Sequence, residues 1–248
     1  MNTTPTDANE LILTREQVRE CDRVAMERFA IAGLVLMENA GLGASRYILA
    51  LLDRDYQDHP GRVFIAAGTG NNAGDGFVVA RHLTNAGIVV DVAVFGDRGR
   101  IKGDAMSNLI VIEKMAVPIC FVEQPDPDVA KTTVERLAGP ARLVVDALLG
   151  TGTAGPPREP IRSAIEAINN ARKPVVAIDI PSGLDCDTGR SLTPAICAAH
   201  TITFAASKKG FTHSRARRYT GDVTVVSIGI DTARLCSAAQ KHGEQPAE

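Results

Sequence analysis

Residues 62–87, RVFIAAGTGNNAGDGFVVARHLTNAG, form the stretch that decides the fold of this chain. Six mostly apolar residues rich in strand formers lead into a glycine-rich segment. A stretch typical of a helix follows and ends at Gly87, a common stop residue. A strand, a glycine-rich loop and a helix in this order predict the first part of a βαβ unit.

The same alternation continues towards the C-terminus. Further strands are expected at 88–95, 118–122, 143–149 and 175–180, with helices at 103–115, 128–137 and 159–170. Strands at 200–206 and 222–229 are expected to extend one edge of the sheet. Two N-terminal helices are expected at 14–30 and 34–52, and the second is expected to be interrupted early by Gly41 and Gly43. A capping box at Thr14 and Gln17 starts the first helix, whose expected apolar stripe is Val18, Cys21, Val24, Ala25 and Met26. The pattern predicts an α/β, three-layer Rossmann-like fold: a mainly parallel sheet with helices on both faces and an N-terminal helical extension.

Length and composition favour one domain. The chain has 248 residues, of which 45% are hydrophobic and 4% aromatic, with no Trp and a net charge of −2. The alternation runs without a break, so we expect a single domain over 1–248 with a core at about 14–230. The polar ends, 1–10 and 237–248, are expected to be flexible tails.

Charge and hydropathy exclude several classes of protein. The chain has no general basic field for nucleic acid, and no stretch approaches the roughly 18 apolar residues of a membrane span. The first residues lack the features of a secretory signal, and the five cysteines show no zinc-binding spacing. We therefore expect an enzyme in the cytoplasm that has neither nucleic acid nor a membrane as a partner.

Three unusual loops follow predicted strands, where ligands of open α/β sheets bind. They are 68–76, 146–156 and 179–189, and the bland interpretation is that they are tight turns that need glycine. They carry an oxygen-rich set of side chains: Asn71, Asn72, Asp75, Asp146, Asp179 and Ser182. Oxygen ligands suit Mg²⁺, Ca²⁺ or an alkali ion, and the low number of carboxylates favours potassium.

Individual residues of these loops and beyond have alternative interpretations. Asp146, inside an apolar strand, is expected to be a metal ligand or an acid–base group, the alternative being a cap for a neighbouring turn. Lys208, just after a strand, either reaches the site or lies on the surface. The basic run 213–218 is either a solvated loop or a contact for a ligand phosphate.

Five segments, in this order, resemble the YjeF N-terminal domain family. They are EQVRECDRVAMERFAIAGLVLMENAG (16–41), GNNAGDGFVVARHL (70–83), VVDALLGTG (144–152), VVAIDIPSGLDCDTG (175–189) and TITFAASKKGF (201–211). The resemblance covers about residues 14–230. It implies the family's activity, NAD(P)H-hydrate epimerisation, which interconverts the R and S forms of hydrated NADH and NADPH (NADHX and NADPHX). These damaged cofactors carry a hydroxyl at C6 of the nicotinamide ring.

The resemblance also implies a site. It implies one potassium ion per subunit, held by Asn72, Asp146 and Ser182. From the reaction that the resemblance implies, Asp146 is the first candidate for the catalytic acid–base group and Lys208 is the second. The implied substrate contacts are Asn71, Asn72, Ala73, Gly74, Asp75, Gly150, Thr151, Gly152, Thr153, Ala154, Gly155, Pro156 and Asp179. The implied partners are a second copy of the chain, docked through the N-terminal helices, and a separate ATP- or ADP-dependent dehydratase specific for the S form.

The sequence departs from the family's motifs at two places, and two alternative functions are left open. Ala73 replaces a glycine of the common GNNGGDG, and TFAASK replaces the common TFGAPK, which leaves the local geometry of that loop open. One alternative is a non-catalytic binding or scaffold module of the same family, whose motifs would be eroded. The other is a nucleotide-binding transferase or dehydrogenase, which the missing GxGxxG disfavours.

Overall fold

The computed structural model describes residues 11–55 and 61–242. A seven-stranded sheet, parallel throughout, has the strand order β4-β3-β2-β5-β6-β7-β9, and a parallel pair β1–β8 lies beside it. The strands are β1 (Ile12–Leu13), β2 (Arg62–Ala67), β3 (Val89–Phe95), β4 (Ile119–Val122), β5 (Ala141–Ala147), β6 (Val175–Ile178), β7 (His200–Phe204), β8 (Ser207–Lys208) and β9 (Asp222–Val226). The helices are α1 (Arg15–Glu27), α2 (Gly33–Asp55), α3 (Asn71–Asn85), α4 (Gly103–Lys114), α5 (Pro127–Ala138), α6 (Ile161–Asn170), α7 (Arg217–Thr220) and α8 (Thr232–His242).

Two hydrophobic cores lie on opposite faces of this sheet. Along β2, Val63 and Ile65 belong to one core, which α1–α4 and α8 cover, while Phe64 and Ala66 belong to the other, under α5 and α6. This alternation follows from the two-residue period of a strand. It confirms the predicted three-layer α/β fold, including the extension of one sheet edge by β7 and β9.

The N-terminal helices form where predicted, and their sequence explains their limits. The side chain of Thr14 accepts from the backbone N–H of Gln17 at 3.2 Å, and the Gln17 side chain accepts from Thr14 N–H at 2.9 Å, which completes the capping box. The predicted interruption of α2 is wrong. A Cβ at Gly41 would overlap the side chain of Val78, so this glycine lets α2 pack closely on α3 without breaking the helix.

Two other predictions are also wrong. The glycine-rich segment after β2 is mostly helix, because α3 begins at Asn71. The C-terminal tail expected from residue 237 instead continues as α8 to His242, with Leu235 and Ala238 buried against the core. The expected tail 1–10 and residues 243–248 lie outside the described residues.

The topology sets where a ligand can bind. The chain runs from β2 to β3 and β4 on one side, then returns to place β5 on the other side of β2. Such a reversal opens a crevice at the carboxyl ends of the two central strands. Within residues 11–55 and 61–242, no helix combines the length and the apolar character needed to cross a membrane.

Candidate active site

A cavity of about 920 Å³ lies along the carboxyl edge of the sheet. The loops after β2, β5 and β6 form its floor, and α1 and α2 form a wall. Among the residues predicted from sequence, those that line it are Asn71, Asn72, Asp75, Gly150, Thr151, Gly152, Thr153, Ala154, Gly155, Pro156, Asp179 and Lys208. The fold thus brings all three predicted loops to one site.

Asn72 presents an unpaired amide to this cavity. The residue is 7% exposed, and neither its side-chain oxygen nor its side-chain nitrogen has a hydrogen-bond partner among the described residues. Gly150 approaches so closely that a Cβ there would lie 3.1 Å from Cβ of Asn72. Burying an amide without partners costs free energy, so this position is suited to a polar ligand or an ion.

Asp146 and Ser182 form a buried pair next to Leu148 and Leu149. The Ser182 hydroxyl donates to Oδ1 of Asp146 at 2.6 Å, and the Ser182 backbone N–H donates to Oδ2 at 2.8 Å. The backbone N–H of Leu148 also donates to Oδ1, at 3.2 Å. Burial raises the pKa of Asp146 to about 6, and the bonds from Ser182 and Leu148 oppose this rise. Both residues are completely buried, and neither lines the cavity.

Lys208 makes an ion pair with Asp179. Its Nζ lies 2.9 Å from Oδ1 of Asp179 and donates to the carbonyl oxygens of Phe204 at 2.9 Å and Ala206 at 3.3 Å. The lysine side chain is fully buried, whereas that of Asp179 is 13% exposed. Asp179 has a φ of +66°, a left-handed conformation that costs free energy for a residue other than glycine.

Two other carboxyl groups that face the cavity have raised pKa values, Asp75 from α3 and Asp22 from α1. Asp75 is 8% exposed and makes no hydrogen bond or ion pair with the described residues, and burial together with Asp179 and Asp22 raises its pKa well above the usual value. Asp22 is exposed to the cavity but is surrounded by protein on several sides. The resulting loss of hydration, together with the charge of Asp179, raises the pKa of Asp22 to about 6. In both cases Lys208 opposes the rise. The site therefore holds two carboxyl groups whose pKa values are raised above the ordinary range, as is common at functional sites.

Several sequence predictions differ from the structure. Ala73 and Gly74 lie in the first turns of α3 and do not line the cavity, nor does any residue of the basic run 213–218. Met26, expected in the apolar stripe of α1, is 45% exposed and lines the cavity, because Arg19, Asp22 and Met26 share the helix face opposite the core.

Sequence reasoning missed Asp22, Arg19 and Arg100 as residues of the site. Arg19 donates to the carbonyl oxygen of Gly152 at 3.1 Å and so joins α1 to the loop after β5. The spacing of Arg19 and Asp22 predicts that both residues lie on one face of α1. The sequence alone does not show that this face points into the site, because that depends on α1 crossing the edge of the sheet. Arg100 follows β3, and its position after a strand was the available signal.

The structure shows the backbone conformation at the two places where the sequence departs from the family pattern, Ala73 and the segment TFAASK. Ala73 is helical and completely buried, so its Cβ is accommodated without backbone strain. Ala205, in the segment TFAASK, has a φ of +64°, a conformation that favours glycine. The loop before Lys208 therefore keeps a backbone suited to glycine although the chain has alanine there.

Comparisons with known proteins show which family and which relatives this chain resembles. Residues 33–210 match the family model described as YjeF-related protein N-terminus. The chain is 40% identical over 219 residues to a protein of Rhodopirellula baltica named NAD(P)H-hydrate epimerase, covering 88% of this chain and 84% of that protein. A protein of Pirellula staleyi with the same name is 38% identical, covering 90% of this chain and 95% of its own length.

Two further matches add a longer relative and a solved structure. A Moorella thermoacetica protein named bifunctional NAD(P)H-hydrate repair enzyme Nnr is 38% identical, and the match covers 88% of this chain but 40% of that protein. The crystal structure of the yeast protein ynu0 matches with a TM-score of 0.74 over 96% of each chain, at 24% identity. The latter similarity supports the fold.

Proposed function

Since this chain belongs to the YjeF-related protein N-terminus family, we propose that it is an NAD(P)H-hydrate epimerase, an isomerase that repairs hydrated nicotinamide cofactors. The observation that carries the proposal is its match to two proteins of that name over 84% and 95% of their lengths. The cavity supports it, because an elongated crevice at the switch point of an α/β sheet is the usual place for a dinucleotide.

We assign a potassium ion to Asn72, Asp146 and Ser182. The unpaired Asn72 oxygen and the buried Asp146 carboxylate, which has no cationic side chain beside it, fit a monovalent cation. Among the described residues, no group of three or more His, Cys, Asp or Glu side chains is arranged to hold a metal. When bound, potassium would supply positive charge that offsets the buried carboxylate and orders the loops after β2 and β5.

Binding of the dinucleotide falls to the cavity floor. The N-cap residue of α3, Gly70, supplies no side-chain cap, so the first N–H groups of the helix are free to bind the diphosphate. The loop 150–156 supplies small residues and backbone amides beside them. Asn71, Asp75 and Asp179 remain as polar contacts for the nicotinamide half, at the end of the cavity that holds Lys208.

Epimerisation requires proton transfer at the C6 hydroxyl. The C6–O bond breaks as the oxygen takes up a proton and leaves as water with the bonding electron pair, and water then adds to the opposite face and returns a proton. Asp146 was expected to donate this proton, but it is buried away from the cavity wall, so we assign it to the cation. Asp22 and Asp75 face the cavity and are the better-placed donors. Lys208, bonded to Asp179, positions that carboxylate and offsets part of the negative charge around the ring.

The proposed partners follow from the same relatives. The bifunctional name of the Moorella protein supports functional coupling to a dehydratase. The homodimer through α1 and α2 and the cytoplasmic location stay predictions. A non-catalytic binding module has no observation in its favour.

One experiment tests the activity directly. An R/S mixture of hydrated NADH is supplied with an S-specific dehydratase and excess ATP, and the remaining R form is followed with and without this protein. We expect the R form to persist, apart from slow spontaneous exchange, until the protein is added. If the protein does not accelerate its loss, the proposed activity is wrong.

A further inference from the structure

The adenosine end of the cavity can be located from the sheet. Lys208, Asp179 and Asn72 mark the nicotinamide half, on the β5, β6 and β7 side of the switch point. The cavity continues past the end of β2 to the end of β3, where Gly96 and Arg100 line it. In dinucleotide-binding α/β folds, the residue after the strand next to the glycine-rich loop contacts the adenosine ribose. Here that strand is β3, which pairs with β2.

The segment after β3, Gly96-Asp97-Arg98-Gly99-Arg100, contains one acidic and two basic candidates. An acidic residue in this place binds the free 2′-hydroxyl of NAD-type cofactors, whereas an arginine accepts the 2′-phosphate of NADP-type cofactors. The structure separates the three candidates by what each one contacts.

The side chains of Asp97 and Arg98 bind other groups of the protein. Oδ1 of Asp97 accepts from the backbone N–H of Gly99 at 2.7 Å and so caps the single 3-10 turn Arg98–Arg100. Arg98 makes two hydrogen bonds to Glu113, at 3.1 and 3.0 Å. Neither residue lines the cavity.

Arg100 is different, because it is exposed and lines the cavity. Its guanidinium makes no hydrogen bond or ion pair with any described residue. The backbone N–H of Arg100 bonds to the carbonyl oxygen of Asp97 at 3.0 Å, which fixes the turn that presents the side chain. An unpaired, permanently charged guanidinium at the adenosine end matches a phosphate group in charge and in hydrogen-bonding geometry.

We propose that Arg100 binds the 2′-phosphate of hydrated NADPH and thereby sets the preference of this site for the phosphorylated cofactor. The inference rests on the proposed function and deepens it. Asp104 also lines this end of the cavity and lies against the start of α2, where a Cβ on Gly33 would overlap its carboxylate. The negative charge of Asp104 opposes the binding of an anion here, so phosphate binding at this end depends on the positive charge of Arg100.

The test compares the two substrates in the full chain. Arg100→Ala should lower the ratio of kcat/KM for hydrated NADPH to that for hydrated NADH by about 10- to 100-fold, the usual effect of removing a charged hydrogen-bond partner. The change should appear mainly in KM for the phosphorylated substrate. Arg98→Ala, which removes a neighbouring arginine of the same turn, is the matched control and should leave the ratio unchanged.

A binding measurement separates this proposal from the activity. Calorimetry with adenosine 2′,5′-bisphosphate and with 5′-AMP should show tighter binding of the bisphosphate to the natural chain, and Arg100→Ala should abolish that difference. An unchanged substrate ratio, an equal loss for both substrates, or the same effect from Arg98→Ala would overturn the proposal. If the natural chain epimerises neither substrate, the proposed function fails, while the calorimetry still decides the role of Arg100.

Discussion

The ammonium group of Lys208 lies 2.9 Å from the carboxylate of Asp179, although the lysine comes from β8 and the aspartate follows β6. Two backbone carbonyl oxygens, those of Phe204 and Ala206, complete the partners of Nζ. All three donors of a completely buried lysine are therefore used. Both residues of the pair line the same cavity as Asp22 and Asp75.

Removal of the lysine should leave the charge of Asp179 without its partner. We expect Lys208→Met to lower the free energy of unfolding by about 3–5 kcal/mol, as for other broken buried pairs. The double variant Lys208→Met/Asp179→Asn should recover part of that loss, because no unpaired charge remains. Urea unfolding measures both, with the exposed neighbour Lys209→Met as the control. A double variant that loses as much as the sum of its single variants would contradict the coupling.

Asp75 should destabilise the fold as pH rises. Its pKa lies well above the ordinary 3.8, so between these values the folded chain holds a proton that the unfolded chain has lost. The free energy of unfolding therefore falls with increasing pH in that range, and the full penalty is present above the folded-state pKa. Asp75→Asn should be more stable than the natural chain, by a margin that is larger at pH 8 than at pH 5, and less active. The exposed Asp53→Asn serves as the control, and a pH-independent margin would argue against this origin.

The strands and the three loops could be predicted because their signals are local. Apolar runs mark β2, β5 and β6, and an Asp or Asn near the end of each run is unusual enough to indicate a site. The roles within the site were less accessible. Asp146 and Asp75 are both aspartates near glycine-rich segments. Asp146 is completely buried next to Leu148, whereas Asp75 faces the cavity. This difference depends on how α3 packs on β5, which the local sequence does not show.

The contributions of α1 and of the β3 loop depend on long-range topology. Asp22 reaches the cavity because α1 packs beside α8 and crosses the edge of the sheet. Its electrostatic neighbour Asp179 lies 157 residues further along the sequence. Similarly, the interruption expected at Gly41 rested on local helix propensity, whereas close packing on Val78 governs that position.

Two alanines stand where the family commonly has glycine, and they should respond oppositely to restoration. Ala205→Gly should raise the free energy of unfolding by about 0.5–1 kcal/mol, because relief of a positive φ outweighs the added freedom of the unfolded chain. Ala73→Gly should lower it by about 1 kcal/mol, since this residue is buried within α3. Thermal and urea unfolding of the two variants measure the signs, and two changes of the same sign would refute the backbone assignment.

The assigned potassium site should be visible without any activity. Adding KCl in place of tetramethylammonium chloride at equal ionic strength should raise the melting temperature, because an ion that binds only the folded state stabilises it. Asn72→Leu should remove this difference, whereas Asn71→Ala, at the exposed neighbouring position, should retain it. An equal response of the natural chain to the two salts would rule out the assignment.

The two candidate proton donors, Asp22 and Asp75, can be distinguished by the pH dependence of epimerisation. A proton donor must be protonated to act, so if Asp22 donates, kcat/KM corrected for the uncatalysed rate falls as pH rises through about 6.

Asp22→Asn should then lower the rate at pH 5.5 by about 100-fold or more, the usual contribution of a general acid, and should abolish the decline between pH 5.5 and 7.5. Asp75→Asn should leave the decline near pH 6, because burial and the charge of Asp179, not Asp75, raise the pKa of Asp22. If Asp22→Asn instead retains the decline and Asp75→Asn loses it, the roles are exchanged and the proton comes from α3. If both variants keep the natural profile and rate, neither carboxylate donates the proton and the mechanism proposed for this cavity is wrong.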